Sequence, residues 1–351
     1  MLHVDGDAVP AALRHGLGRE AVGDGEPSVD AGLARLQPLL QHVRRHRFRF
    51  LACLKTREFT RATEDWVTLL SLRAGRLAVD LAPQAGGSIA RFAVEGIGDV
   101  LRPTRAEALA SGTGRDTACY PLVPFSNRIA DGRLAFENQE FHLSPNWPGV
   151  RHPMHGDGWS HAWTVVTADA RSAELVYEHD GREGWPFRYR AKQVYRLDAD
   201  RLAVRMSVEN LEGRPVPAGL GLHPFFTRDA DTELRCRVIG VWRTDPEVLP
   251  LDHMSVPPAW DFSRSRKVDG LGLDHCFDGW DGSATITWPG RDMRLTLSAT
   301  EAFRHLVIYI PDGRSFFCVE PVSHANGQVG RHLIDAGATL AGEITFTPSS
   351  S

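Results

Sequence analysis

Hydrophobic and polar positions alternate along most of the chain after residue 66. "GRLAVDLAP" places Leu77, Val79 and Leu81 on one face. "RLAVRMSVEN" does the same with Leu202, Val204, Met206 and Val208, "ATITW" with Ala284, Ile286 and Trp288, and "EITFTP" with Ile344 and Phe346. Period-two alternation predicts strands half buried in antiparallel sheets. Between them lie the turn segments "PQAGG", "EHDGREG", "ENLEGRP" and "PDGRS". Past residue 112 there is no clear helical pattern, and the chain has no internal repeat. Many short strands with frequent turns predict an all-β fold, a large antiparallel β-sandwich or barrel.

Residues 1–65 have a different character, rich in Arg, Ala, Gly and His. Leu33, Leu36, Leu40 and Val43 form a helical stripe, but Pro38 interrupts it. Such a segment buries too little apolar area to offset its ordering entropy. It is read as an N-terminal extension, disordered or not native, ahead of one β domain spanning 66–351. The run "RRHRFRF" within it could meet an acidic partner.

Composition narrows the function classes. The 351 residues are 42% hydrophobic and 24% charged, with a formal net charge of −4. That balance gives no general attraction to nucleic acid or to an anionic membrane surface. No apolar run approaches the ~20 residues that span a bilayer. The N-terminus lacks the apolar core of a signal peptide. Five scattered cysteines with no C-x-x-C pair point to a reduced, cytoplasmic protein without a structural zinc site. Nearly all basic residues are arginine, a compositional bias that weakens any argument from arginine counts.

Five stretches concentrate chemistry-bearing residues. "PLVPFSNRIADGRLAF" holds Asn127 and Arg128, "RHPMHGDGWSHAW" holds His155, and "PAGLGLHPFF" holds His223. "LGLDHCFDGW" holds Asp274, and "FFCVEPVSHANG" holds Glu320. Glu320 follows an apolar run that reads as a strand buried on both faces. A carboxylate there is paired, functional, or escapes at a sheet edge. A lone histidine at an apolar strand end, as His223 is read here, is more often a packed core residue than a proton carrier. Asp274 fits turn chemistry, Arg128 a sheet edge, and Trp159 and Trp163 the core. A metal site could draw on His155, His161, His223 and Glu320, but no metal-ligand spacing is present. Phosphate-loop and nucleophile-elbow motifs are absent. Histidines, carboxylates and an arginine on a β scaffold suit proton transfer on a polar neutral substrate, with Glu as base and His as acid.

Taken together, "NRI-x-x-G", "HG", "GLGLHPFF", "LDHCF" and "VEP", in that order over about residues 66–348, resemble the aldose 1-epimerase (galactose mutarotase) superfamily. The resemblance implies a β supersandwich with an open cleft and no cofactor. It implies Glu320 as general base and His223 as general acid, with His155 at the sugar ring oxygen. Arg128 and Asp274 become ligands of substrate hydroxyls, with Asn127 adjacent. The implied partner is a small-molecule sugar, bound by a monomer or homodimer, without nucleic acid or membrane. The implied activity is that of an isomerase interconverting α and β anomers of a free hexose. Two alternatives stay open. One is a hexose 6-phosphate mutarotase, for which Arg151, Arg182 and Arg188 are phosphate candidates; the other is a non-catalytic sugar-binding protein. The chain departs from the family pattern at Phe225, Phe226 and Thr227 and at Asp157, which bears on sugar preference. An apolar surround should lower the His223 pKa and a Glu320 carboxylate should raise it, leaving a donor poised near neutrality.

Overall fold

The alternating segments pair into two large antiparallel sheets in the computed structural model, which describes residues 68–350. The Pro38-broken stripe, the basic run and the boundary at residue 66 lie outside the described residues. Among those residues the first sheet has eleven strands. It runs from Leu70–Ala74 at one edge, through Cys119–Leu122, Gly221–Thr227, Phe316–Val322, His305–Ile310 and Leu273–Asp278, to Pro250–Ser255 at the other. The second has nine, from Arg266–Lys267 to Thr164–Ala168, with Thr339–Ser349 and Leu202–Asn210 side by side in the middle. The only α-helix among the described residues is the short Ala106–Ala110. None of their helices is long and apolar enough to cross a membrane.

The sheets meet face to face through the predicted apolar positions. Val204 pairs with Ile344 and Leu202 with Phe346 across neighbouring strands. From the first sheet, Phe92 and Phe226 set their rings 6.0 and 6.2 Å from that of Phe346. Val79, Leu81, Leu202, Val204 and Phe346 are fully buried in this layer. Each such side chain contributes about 1.5–3 kcal/mol of transfer free energy.

The central strands of the first sheet are covered on both faces, which explains their continuous apolar runs. Within Gly221–Thr227, Leu222 and Phe226 enter the inter-sheet core, whereas Phe225 joins a second cluster with Tyr120, Cys318 and Val322. Within Phe316–Val322, Phe317 and Val319 point to the core. Strand alternation therefore sends Phe316, Cys318, Glu320 and Val322 to the opposite side. This second face carries the candidate chemistry. The four described cysteines, Cys119, Cys236, Cys276 and Cys318, are free and buried.

Candidate active site

His223 and Glu320 are brought together by register. The pairing that sets Gly221 against Val322 and Phe225 against Cys318 places His223 across from Glu320. Their reacting atoms, His223 Nε2 and Glu320 Oε1, are 3.4 Å apart, and both residues are buried. Small residues make this approach possible. A Cβ on Gly221 would lie 2.8 Å from Val322 Cγ1, so the glycine before the histidine is a packing requirement. His223 lies in the middle of its strand rather than at a strand end. Its imidazole stacks on Phe225, with ring centroids 4.5 Å apart at 10°.

Asp274 arrives from the strand Leu273–Asp278, paired to Tyr309 of the next strand. The turn reading of "LDHCF" is thereby corrected: the segment pairs along its length, and alternation turns Asp274 to the site side. Arg128, Asn127 and His155 come from two loops clasped together by an Arg128–Met154 bridge and a Val123–Gly156 bridge. Arg128 is thus a loop residue and does not sit at a sheet edge.

Backbone geometry fixes the His155 tautomer. The Asn127 N–H donates to His155 Nδ1 at 3.1 Å, and the His155 N–H donates to the Asn127 carbonyl at 2.8 Å. Nδ1 is an acceptor, so the neutral ring carries its proton on Nε2. Both residues hold left-handed φ angles, +57° and +64°, a costly conformation that recurs at functional sites. Gly156 follows with φ +68°, and a Cβ there would lie 2.1 Å from the Val123 carbonyl oxygen, which accounts for the "HG" pair.

All six sequence candidates line one cavity of ≈ 260 Å³, together with Arg102, Tyr120, Trp147, Phe225, Tyr309 and Phe316. That volume suits a monosaccharide, below the ~300–1,000 Å³ of drug-sized sites. Burial dominates its electrostatics. It pushes the Glu320 carboxyl well above its ordinary range, with Asp274 adding and Arg128 opposing. It pushes His223 well down, assisted by His155 and Arg102. It takes His155 down to about 3, with Arg128 adding, and Asp274 up to about 6 against the pull of Arg128. The expected balance at His223 does not hold. Burial disfavours the charge on both partners, raising Glu320 and lowering His223.

The family model for aldose 1-epimerase matches residues 68–347. The chain belongs to the aldose 1-epimerase family. The uncharacterized Escherichia coli K12 protein YphB is 32% identical over 295 residues, covering 81% of this chain and 98% of its own length. A crystal structure of a candidate aldose 1-epimerase from Escherichia coli K12 superposes with a TM-score of 0.75 at 31% identity, over 81% of this chain and 99% of that one. The aldose 1-epimerase of the same organism is 27% identical over 202 residues, 55% of this chain and 51% of its own. The all-β, galactose mutarotase-like sandwich expected from sequence is the observed fold.

Within the aldose 1-epimerase frame, the departures from pattern have distinct structural meanings. Phe225 lines the cavity, Phe226 is core, and the Thr227 hydroxyl donates to the Asp99 carbonyl at 3.1 Å. Asp157 does not line the cavity. Its carboxylate accepts the Tyr177 and Tyr189 hydroxyls at 2.6 Å each and His179 Nδ1 at 2.8 Å. The other His179 nitrogen lies 2.7 Å from the Trp185 carbonyl. Burial opposes charging His179, yet Asp157 and that carbonyl outweigh it and raise its pKa. Asp157 is therefore an anchor for the His155 loop rather than a sugar ligand.

Other sequence candidates are not in the cavity. His161 stacks on Tyr177 and its Nδ1 lies 2.9 Å from the Asp157 carbonyl, so the four-residue metal set does not assemble. A different trio, His223, Cys318 and Glu320, has its ligand atoms within 4.8 Å of one another. Burial and then Glu320 push the Cys318 thiol well up, which disfavours the thiolate a metal needs. Arg151 pairs with Asp131 at 2.6 Å, Arg182 with Asp180 at 3.5 Å and Arg188 with Glu212 at 3.1 Å. None of the three lines the cavity, so they are not its phosphate ligands. Trp159 and Trp163 are buried, as expected of core residues. The aromatic wall that sequence reasoning missed is Trp147, packed on Trp159 with ring centroids 4.8 Å apart. A tryptophan inside the turn "SPNWPGV" was the available signal, since turns rarely bury one.

Proposed function

We propose that the protein interconverts the α and β anomers of a free aldose by acid–base ring opening. The observation that carries this reading is the buried His223–Glu320 pair, 3.4 Å apart in a monosaccharide-sized cavity beside the neutral His155. The pair shares one dissociable proton. Burial favours the uncharged form, carboxyl plus imidazole. Arg128 and the hydroxyls of a bound sugar supply the stabilisation that an ionised carboxylate lacks, so the proton passes to His223. Glu320 then takes the proton from O1, the C1–O5 bond breaks as C1=O1 forms, and His223 protonates O5. His155 donates its Nε2 proton as a hydrogen bond to O5. Rotation about C1–C2 and the reverse steps give the other anomer. Polarimetry on freshly dissolved α-glucose and α-galactose tests the reading; a relaxation rate equal to that of buffer alone overturns it. Calorimetric binding with no rate would instead mark a sugar-binding protein.

Three expectations arise here. Asp274 accepts sugar hydroxyls best as a carboxylate, and it titrates at about 6. KM should therefore rise as pH falls through that value, and Asp274→Asn should flatten the inflection. Activity should survive EDTA and dialysis, because both proton carriers are side chains; loss to chelator with recovery on zinc would install a metal on the His223–Cys318–Glu320 trio. We also take the domain to begin near residue 66, ahead of the strand Leu70–Ala74 at the edge of the first sheet. A chain starting at Trp66 should keep its mutarotation rate and Tm, and a Tm drop of several degrees would make the first 65 residues integral.

A further inference from the structure

The cavity does not end at the sugar-sized pocket. Arg102, Asp116 and Phe316 form a wall shared with an open groove of ≈ 1210 Å³ that also contains Arg105, Arg115 and Arg314. Arg102 stands at the junction. Its guanidinium stacks over Phe225 at 4.2 Å and over Phe316 at 4.6 Å, and one N–H donates to the Thr117 carbonyl at 3.0 Å. A guanidinium has five N–H donors, so most of the fork is uncommitted. Burial lowers its pKa against the opposing pull of Cys318, Asp116 and Tyr120, with Arg105 adding to the fall.

Arginine is abundant in this chain, so position and pairing must decide. Elsewhere, surface arginines such as Arg73, Arg91, Arg190 and Arg291 lie within 2.7 Å of a carboxylate oxygen. Among the described residues Arg102, Arg105 and Arg314 have no carboxylate partner within 4.0 Å, and Arg115 reaches Asp116 only at 3.6 Å. The groove's acids are Glu107 and Asp116, so it carries four cations against two anions. A planar fork packed against two rings, half-buried and without an ion pair, is preorganised for an oxyanion. The placement also suits a substrate's far end. Phe225 separates Arg102 from His223, stacking on both, so the cation stands one ring's thickness from the acid–base pair.

We propose that Arg102, backed by Arg105, Arg115 and Arg314, is an anion subsite, and that the preferred substrate is an aldose carrying an oxyanion group at the end remote from C1. This rests on the mutarotation reading above. Phosphate and carboxylate share the required chemistry, and separate arms of the test distinguish them.

Mutarotation is measured on glucose, glucose 6-phosphate and glucuronate, each above its own uncatalysed rate. At least one anionic sugar should exceed glucose tenfold or more in kcat/KM, with the advantage shrinking as ionic strength rises. Preference for the phosphate alone assigns a dianion site, and preference for glucuronate alone a carboxylate site. In the Arg105→Ala/Arg314→Ala variant, both positions being exposed, the anionic-to-neutral ratio of kcat/KM should fall at least tenfold. Turnover of glucose with no anionic preference overturns the subsite and leaves the mutarotation reading standing. The converse result is no turnover of any sugar, with calorimetric binding of inorganic phosphate that Arg102→Met removes. It would support the subsite and overturn the mutarotation reading. No turnover and no phosphate binding removes both.

Discussion

Glu320→Gln should reduce catalysed mutarotation to the buffer rate, a loss of at least ~10³-fold, while the protein stays folded. Acid–base groups supply about 10²–10⁴-fold each, and the amide can neither take the O1 proton nor return it. The two halves of this outcome have separate physical grounds. Glutamine matches the shape of glutamate, so the second face of the sheet keeps its packing. The stability sign follows from the direction of the Glu320 shift. Its carboxyl is raised above the ordinary 4.5 in the folded chain. The unfolded chain therefore loses that proton first, and wild type loses stability as pH climbs above about 4.5, until the folded carboxyl also ionises. The variant has no such group. Its Tm at neutral pH should equal or exceed that of wild type, and the gap should close toward pH 4. Retained mutarotation by polarimetry would remove Glu320 as the base. A collapsed Tm would show that the carboxyl holds the fold instead.

How much of this was legible in the chain depended on which face a residue serves. Half-buried strands announce themselves by alternation, and Leu77, Val79, Leu202 and Val204 were read correctly because their other faces meet solvent. The strands that build the site are covered twice. In "GLGLHPFF" and "FFCVEP" period two vanishes, and only one imidazole and one carboxylate mark the second face. Those two were found because they are anomalous in their surroundings. Asp274 was nearly lost, since Asp-His beside an aromatic also describes a turn, and only pairing with Tyr309 decides.

Arg102 and Trp147 lay beyond sequence reasoning for another reason. Their roles depend on what stacks against them, Phe225 and Phe316 in one case and Trp159 in the other. The arginines favoured for phosphate, Arg151, Arg182 and Arg188, sit near the right motifs but are neutralised by Asp131, Asp180 and Glu212. The partners of Arg151 and Arg188 come from distant loop positions, which a linear pattern does not show. The proton balance at His223 failed because burial, which no linear pattern measures, disfavours the charge on both His223 and Glu320.

His223→Asn should lower kcat by at least ~10²-fold, the lower bound for loss of a positioned acid, with KM changing far less. The competing account makes His223 a packed core histidine, and the structure gives that account substance. The ring stacks on Phe225 and lies 4.7 Å from Tyr120, and its Nδ1 is buried without a hydrogen-bond partner. Some loss of Tm is therefore expected from packing alone, and Tm cannot discriminate. The split between kcat and KM can, because a merely structural residue would change folded fraction rather than turnover per folded molecule. A second readout is the pH dependence of stability. The folded His223 pKa is pushed well below 6.5, so on acidification the unfolded chain binds a proton that the folded chain refuses. Wild type should thus lose stability below about pH 6.5, and the variant should lose less over the same range. Stopped-flow polarimetry gives the first measurement and calorimetric melts the second. If kcat per folded molecule is unchanged while the acid slope disappears, His223 is a buried neutral histidine and the general acid must be sought at His155, whose Nε2–H faces the same cavity.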